Sequence, residues 1–476
     1  MKKIKFQLAR HAFYDYSAIQ AHLEKMAEQG WLVEAAGKYL WRYRAIKPKK
    51  LHFAVTYFAD ASNYDFIPTE GEEQLEAYCA KDGWRLAARW IQMQIFYNEA
   101  EHPIPIETDA VTQVETIHRT MRRNVLRVDI LLLIFCIYQL DLDRRQFQDY
   151  PAEFLATPFF LYLFVAWWFI LASALLEIGY YLRWYHKAKA VAQNGEFSEV
   201  KANHMASVVL SGIAILMVAL ACGSSVRGRW VGLFAVCVCV ILFSIPSLIK
   251  ARMKKKGATR AVTRATVTTI TIMATVILLC GMVPALLFAD IPNGQTPVGS
   301  DTYDGRERLV YNDFLPLRME DLIESENTDW SLEQTRNESF LLSNTEYRQW
   351  WLREDMHVPW LEYTVTEVKI PLIYDACKNG LLEALHKQNA NGKELFYEAV
   401  DATQWGVEDA YRYRQGDHYS NRYLLCYDNV IIEIEFDWEP TPEQMGIVAE
   451  KLVHESLNTM HKERYYAVES IKNHEI

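Results

Sequence analysis

Few residues in this 476-residue chain stand at spacings that do chemistry. His454, Glu455 and His461 bring two imidazoles and a carboxylate into one stretch. A zinc site with its general base needs both histidines on one helix face in the HExxH register, and this spacing does not supply it. Asp301, Asp304 and Gly305 share part of a calcium-loop pattern, with most ligand positions missing. There is no Cys-x-x-Cys and no ladder of Cys and His, so a structural zinc site is not expected. We therefore expect no metal, no cofactor and no catalytic set, and do not expect an enzyme.

Three other groupings have a chemical and a structural reading. Cys377 and Cys426 are a candidate disulfide if their region lies outside the cytoplasm, or else two buried thiols. Trp330, Trp350, Trp351, Trp360, Trp405 and Trp438 would either form a stacking platform or fill a core, and core is the commoner use of such residues. Glu177 is an acid within a long apolar run, where a charge usually marks function; its closeness to Arg183 places it at the end of the run, near an interface.

The elements that would carry these residues are segregated by polarity. The hydrophobic share is 51% with a formal net charge of -10, and neither average describes any one region. Five runs are long and apolar enough to read as membrane helices, at about 125–142, 158–182, 205–222, 230–249 and 266–288. The first is short and is bounded by Arg127 and Asp129, so a buried or interfacial helix is its alternative. The N-terminal run MKKIKFQLARHAFYDYS has no apolar stretch of signal-peptide length, and the first span is expected to act as its own insertion signal.

Charge sets a direction for these spans. Lys250, Arg252, Lys254, Lys255, Lys256, Arg260 and Arg264 crowd the loop before the fifth span, and cytoplasmic loops retain such cations. Alternation puts the loop with Arg183, Lys187, Lys189 and Lys201 on the same side, along with the flank holding Arg119, Arg122, Arg123 and Arg127. The expected topology is multi-pass in the cell membrane, N-terminus inside and C-terminus outside. Residues 290–476 carry 36 acidic against 17 basic side chains, so the acidic part faces out.

The N-terminal region repeats itself. LEKMAEQGW from Leu23 aligns with EAYCAKDGW from Glu76, matching Gly30-Trp31 to Gly83-Trp84. Val33 then matches Leu86, Leu40 matches Met93 and Tyr43 matches Phe96. Each copy reads as an amphipathic helix, a glycine stop and strands, giving a two-layer α+β domain over 1–110 with helices 17–29 and 72–82 on one sheet face. Strands are expected at 31–36, 39–46 and 51–59 in the first copy. Residues 111–127 read as a helix linking this domain to the first span. Arg42, Arg44, Lys47, Lys49 and Lys50, with Trp41 and Tyr43 between, form a basic edge suited to an anionic membrane surface; no nucleic-acid motif accompanies it.

LEKMAEQGW with WRYR, and YCAKDGWRL with IFYNEAEHPIPIETD, resemble a bacterial membrane-protein family known as domain of unknown function 2812, mainly over residues 1–115. The resemblance implies a domain placed before membrane spans and a regulatory or envelope-response role. It implies no catalytic residue.

Beyond five helices over 128–288 and a linker at 289–310, residues 311–476 read as a second α+β domain. LEYTVTEVKI alternates like a strand, Pro371 opens a helix, and NRYLLCYDNVIIEIEFDW reads as a hairpin about Asp428-Asn429. Thr441, Pro442 and Gln444 give a capped helix start. The whole is expected to be a multi-domain membrane protein, sensory or regulatory, with the lipid bilayer and a membrane or cytoplasmic regulatory protein as partners. An accessory subunit of an export or lipid-handling complex and an envelope-modifying enzyme are the alternatives.

Overall fold

The structure is a computed structural model that describes residues 3–8, 11–37, 40–59, 61, 69–198, 205–224, 248–249, 252–253, 259, 261–270, 273, 298–303, 306–324, 330–351, 360–384, 387–388 and 394–454. It is a mixed α/β protein in two compact units. One comprises Met1–Gln139, Val165–Ala219 and Trp230–Ala289, the other Leu140–Phe164, Leu220–Arg229 and Asp290–Ile476.

The first unit opens with two copies of one topology. β1 (Ile4–Leu8), α1 (Tyr16–Glu28), β2 (Trp31–Ala35) and β3 (Leu40–Ala45) are followed by β4 (His52–Tyr57), α2 (Glu70–Lys81), β5 (Arg85–Trp90) and β6 (Met93–Asn98). The strands form two antiparallel three-stranded sheets, ordered β1-β3-β2 and β4-β6-β5, so each copy places its third strand between its first two. Even the irregularities match: register slips between Val33 and Ala35 in β2, and between Leu86 and Ala88 in β5. The expected single sheet is therefore two sheets. Residues 52–57 open the second copy rather than ending the first, and β1 is a strand that the sequence reading did not place.

Local chemistry accounts for the helices. Asp15 caps α1 by accepting from the Ala18 amide, and Tyr16, Ile19, Leu23, Met26 and Ala27 form its buried stripe. Thr69 and Glu72 close a capping box on α2; the Glu72 carboxylate, though buried, takes the Thr69 amide and hydroxyl and the Gln94 amide. Both helices end at glycines with positive φ, Gly30 at 85° and Gly83 at 82°. A Cβ on Gly30 would stand 3.0 Å from the Ile46 carbonyl oxygen, whereas one on Gly83 would meet the softer end of the Asn98 side chain at 3.3 Å. Gly30→Ala should therefore cost about 1–2 kcal/mol for the left-handed backbone plus the carbonyl contact. Gly83→Ala should cost less, and amide hydrogen exchange within α1 and α2 measures both.

α3 (Ala110–Asp149) is one continuous helix, about 60 Å long at 1.5 Å per residue. It absorbs both the expected linking helix and the expected first span. α5 (Pro158–Gln193) and α6 (Met205–Gly223) follow the short α4 (Pro151–Ala156). Among the described residues, α5 and α6 are the two helices long and apolar enough to cross a membrane, against five expected. The apolar run of α3 falls short because Arg127, Asp129, Asp141 and Asp143 interrupt its ends. The expected spans at 230–249 and 266–288 lie largely outside the described residues.

The second unit is built on an eight-stranded antiparallel sheet of order β12-β13-β14-β15-β16-β11-β10-β9. Its strands are β9 (Trp330–Glu338), β10 (Leu342–Trp351), β11 (Leu361–Val368), β12 (Lys387–Gln388), β13 (Glu394–Val400), β14 (Asp409–Gln415), β15 (His418–Tyr427) and β16 (Val430–Phe436). The hairpin turn at Asp428-Asn429 is as expected, with Asp428 at φ 48°. Pro371 opens a 3-10 turn into α8 (Tyr374–Ala384), and Thr441 and Gln444 cap α9 (Pro442–Val448). One core joins the sheet to α9 and α7 (Met319–Leu322) around the buried Trp405; another joins it to α8 and α4. The connection between the first two expected spans thus packs into the C-terminal domain. Part of the expected 289–310 linker is a strand pair, β7 (Gly299–Tyr303) with β8 (Arg306–Val310).

Candidate functional site

A cavity of about 320 Å³ opens in the N-terminal domain, and three elements build it. α1 supplies Tyr16, Gln20 and Glu24; β4 supplies His52 to Thr56; α3 supplies Gln113. Trp84, just past the stop glycine of α2, and the segment Pro103–Glu107 close the wall. Trp84 is buried and donates its indole N–H to the Ile104 carbonyl at 2.8 Å, which ties that segment down. The repeat glycine and tryptophan therefore do more than end a helix.

The polar groups facing this space include two carboxylates, Glu24 and Glu107, among side chains that can donate or accept. Glu24 Oε1 lies 3.8 Å from His52 Nδ1 and 3.5 Å from the Phe53 amide. Burial, with Asp109 nearby, raises the Glu107 carboxyl above its ordinary pKa. Thr56 and Gln113 are 2% and 5% exposed, and Thr56 Oγ1 and Gln113 Oε1 have no hydrogen-bond partner among the described residues. A buried polar atom without a partner costs about 1–3 kcal/mol, so two in one cavity mark a place where a partner is wanted.

The same domain core includes parts of α3 and α5. Ile117 and Met121 of α3, and Tyr181, Trp184, Ala188 and Ala192 of α5, are buried in one cluster with α1 and the strands of both copies. Tyr14 sets its ring against Tyr181 at 5.2 Å and Trp184 at 5.0 Å. His118 stacks on Tyr185 at 4.1 Å, and its Nδ1 lies 2.6 Å from the Tyr181 hydroxyl. Burial, then Arg122 and Lys189, hold the His118 imidazole below its ordinary pKa.

A second cavity, of about 310 Å³, lies between α3, α5 and α6 and is lined by Asp129, Ser173, Glu177 and Ser211 among apolar residues. The Ser173 hydroxyl bonds to Ser211 at 2.8 Å and donates to the Ser207 carbonyl at 3.0 Å. Glu177 thus lines a largely apolar space together with Asp129.

The remaining expected residues fall as follows. Gly30, Trp31, Gly83 and Trp84 hold the same corner in each repeat. Arg122, Arg123, Arg183 and Arg252 are exposed; Lys250, Lys254, Lys255 and Lys256 lie outside the described residues. Cys377 and Cys426 come into one core as free buried thiols, both with pKa pushed up to about 11 by burial, rather than as a disulfide. Trp330 and Trp405 are core residues and form no platform. Trp41 and Tyr43 are buried, while Arg42 and Arg44 share the opposite face with Ile4, Phe6 and Leu8. Among the described residues no group of His, Cys, Asp and Glu could hold a metal. Asp304, Gly305, Glu455 and His461 lie outside them.

Residues 15–128 match the family described as Protein of unknown function (DUF2812). That segment runs from the α1 cap into α3. The match starts later and runs further along α3 than the residues 1–115 expected. No curated protein and no solved structure matches the chain.

Proposed function

We propose that this is a sensory or regulatory membrane protein in which a small ligand held by the N-terminal domain biases the membrane helices. The observation that carries this reading is the shared core: Gln113 of α3 walls the cavity, and one turn further along the same helix Ile117 packs with Tyr181 and Trp184 of α5. A ligand that prefers one packing of that core shifts the helices by its differential affinity.

A multi-pass arrangement is supported by large apolar side chains standing exposed on all three helices, among them Leu131 and Ile134 on α3, Trp168 and Leu175 on α5, and Val209 and Ile215 on α6. Such surfaces are costly in water and ordinary in lipid. The exposed Arg122, Arg123 and Arg183 favour the N-terminal domain on the cytoplasmic side. The packing of α4 into the C-terminal domain supports placing the first inter-span connection and that domain on the same, opposite side. We read the five spans and the N-in, C-out orientation on this basis.

The cavity's acceptors and rings suit a small organic cation, with Glu24, Glu107, Gln113 and Thr56 receiving its N–H groups and Tyr16 and Trp84 packing its body. The test is calorimetry with benzylamine and putrescine, and benzoate as the matched anion, on the full chain in nanodiscs. The amines bind and benzoate does not. Thr56→Val with Gln113→Leu weakens amine binding about tenfold or more, while the ligand-free domain is as stable as before, because two unsatisfied buried atoms are removed. Amine binding slows hydrogen exchange in 110–126 and 181–192. Slowing confined to α1 and β4 would sink the coupling, and binding untouched by the double variant would sink the site.

A further inference from the structure

At one end of the second unit's sheet, two loops are tied together and present bare apolar side chains. The β9–β10 turn carries Phe340, 67% exposed, and the exit of β11 carries Ile370 and Leu372, the latter 90% exposed. The Lys369 amide donates to the Leu341 carbonyl at 2.9 Å, and its Nζ donates to Ser339 O and Glu338 Oε1, so the two loops are tied into one rim. Beside this rim the first turns of α5 begin. Pro158, Leu161 and Tyr162 share a cleft of about 260 Å³ with Glu338, Ser339, Phe340 and Lys369. From Pro158 onward α5 is apolar, PFFLYLFVAWWF, so these turns are where a spanning helix enters the hydrocarbon.

We propose that the Phe340 and Leu372 loops of the C-terminal domain dip into the interfacial layer of the bilayer at the point where α5 enters it. Aromatic and long aliphatic side chains favour that layer, and a lysine at its edge keeps its charge in water while its stem lies along lipid. The strongly acidic domain thereby sits down on the membrane by an apolar rim, beside which Lys369 and Arg336 both pair with Glu338. This rests on the membrane reading of α5 above, and the test separates the two.

The full chain is reconstituted in nanodiscs of phosphatidylcholine and phosphatidylglycerol with p-benzoylphenylalanine at position 340, 372, 168 or 417, one at a time. Trp168 is an exposed residue of α5, and Asp417 has a fully exposed side chain in the β14–β15 turn, at the opposite end of the sheet from the rim. After irradiation, mass spectrometry counts phospholipid adducts. Positions 340, 372 and 168 give about tenfold more adduct than 417, the contrast between an interfacial or lipid-facing side chain and one in water. Adduct at 168 with none above the 417 level at 340 and 372 overturns this proposal alone. No adduct at 168 overturns it together with the membrane reading of α5.

Discussion

Trp184→Ala should lower the stability of the N-terminal domain by about 3–5 kcal/mol, the range for a large aromatic removed from a packed core. Trp184 is 2% exposed although it sits far along α5, more than 80 residues from the nearest strand of the domain it packs with. Its ring rests on Tyr14, next to the Asp15 cap of α1, and on Tyr181, which itself meets His118 of α3. Removing it opens a void where α1, α3 and α5 converge. Hydrogen exchange in nanodiscs should show faster exchange across α1, β4 and residues 110–126, with residues 330–436 unchanged. Trp168→Ala, at an exposed site on the same helix, should leave the domain's protection as it was. Unchanged exchange in α1 after Trp184→Ala would mean that the domain does not need the helix, and the coupling proposal would lose its physical basis.

Trp84→Ala should cost a similar about 3–5 kcal/mol from lost packing, with a further ~1 kcal/mol from the Ile104 carbonyl left without its donor. Trp84 packs with Cys79 and Phe96 on one side and walls the cavity on the other. The variant should therefore lose both domain stability and amine binding. Trp84→Phe keeps most of the ring and drops the N–H, so it should recover most of the stability while leaving the Pro103–Glu107 wall loose. Chemical denaturation followed through the domain's hydrogen exchange, with calorimetry on the same samples, separates the two losses. Full amine affinity in Trp84→Ala would place the binding site elsewhere.

The two repeats are legible in the sequence because a helix stop at positive φ selects glycine, and the tryptophan after it leaves a visible spacing. The second half of the chain was legible for similar local reasons: proline at a first turn, a capping box at Thr441, and period-two alternation in β11. β1 escaped notice because its apolar residues Ile4, Phe6 and Leu8 face outward, and alternation does not say which face is buried. The division into two sheets escaped because strand order follows from pairing partners far apart in the chain.

Local sequence chemistry by itself determined where the capped helices start, that the N-terminal domain is duplicated, that the C-terminal part of the chain is acidic, and that the runs of α5 and α6 are long and apolar. Each of these depends on neighbours a few residues apart, through backbone dihedrals, caps and side-chain periodicity. Only the tertiary structure decided that Thr56 Oγ1 and Gln113 Oε1 meet in one cavity without a partner among the described residues, that Asp129 and Glu177 share another, that the far end of α5 completes the N-terminal core, and that α4 completes a core of the second unit. Those facts depend on long-range packing, in which the same polar residue can be solvated, satisfied or stranded according to what the rest of the chain brings against it.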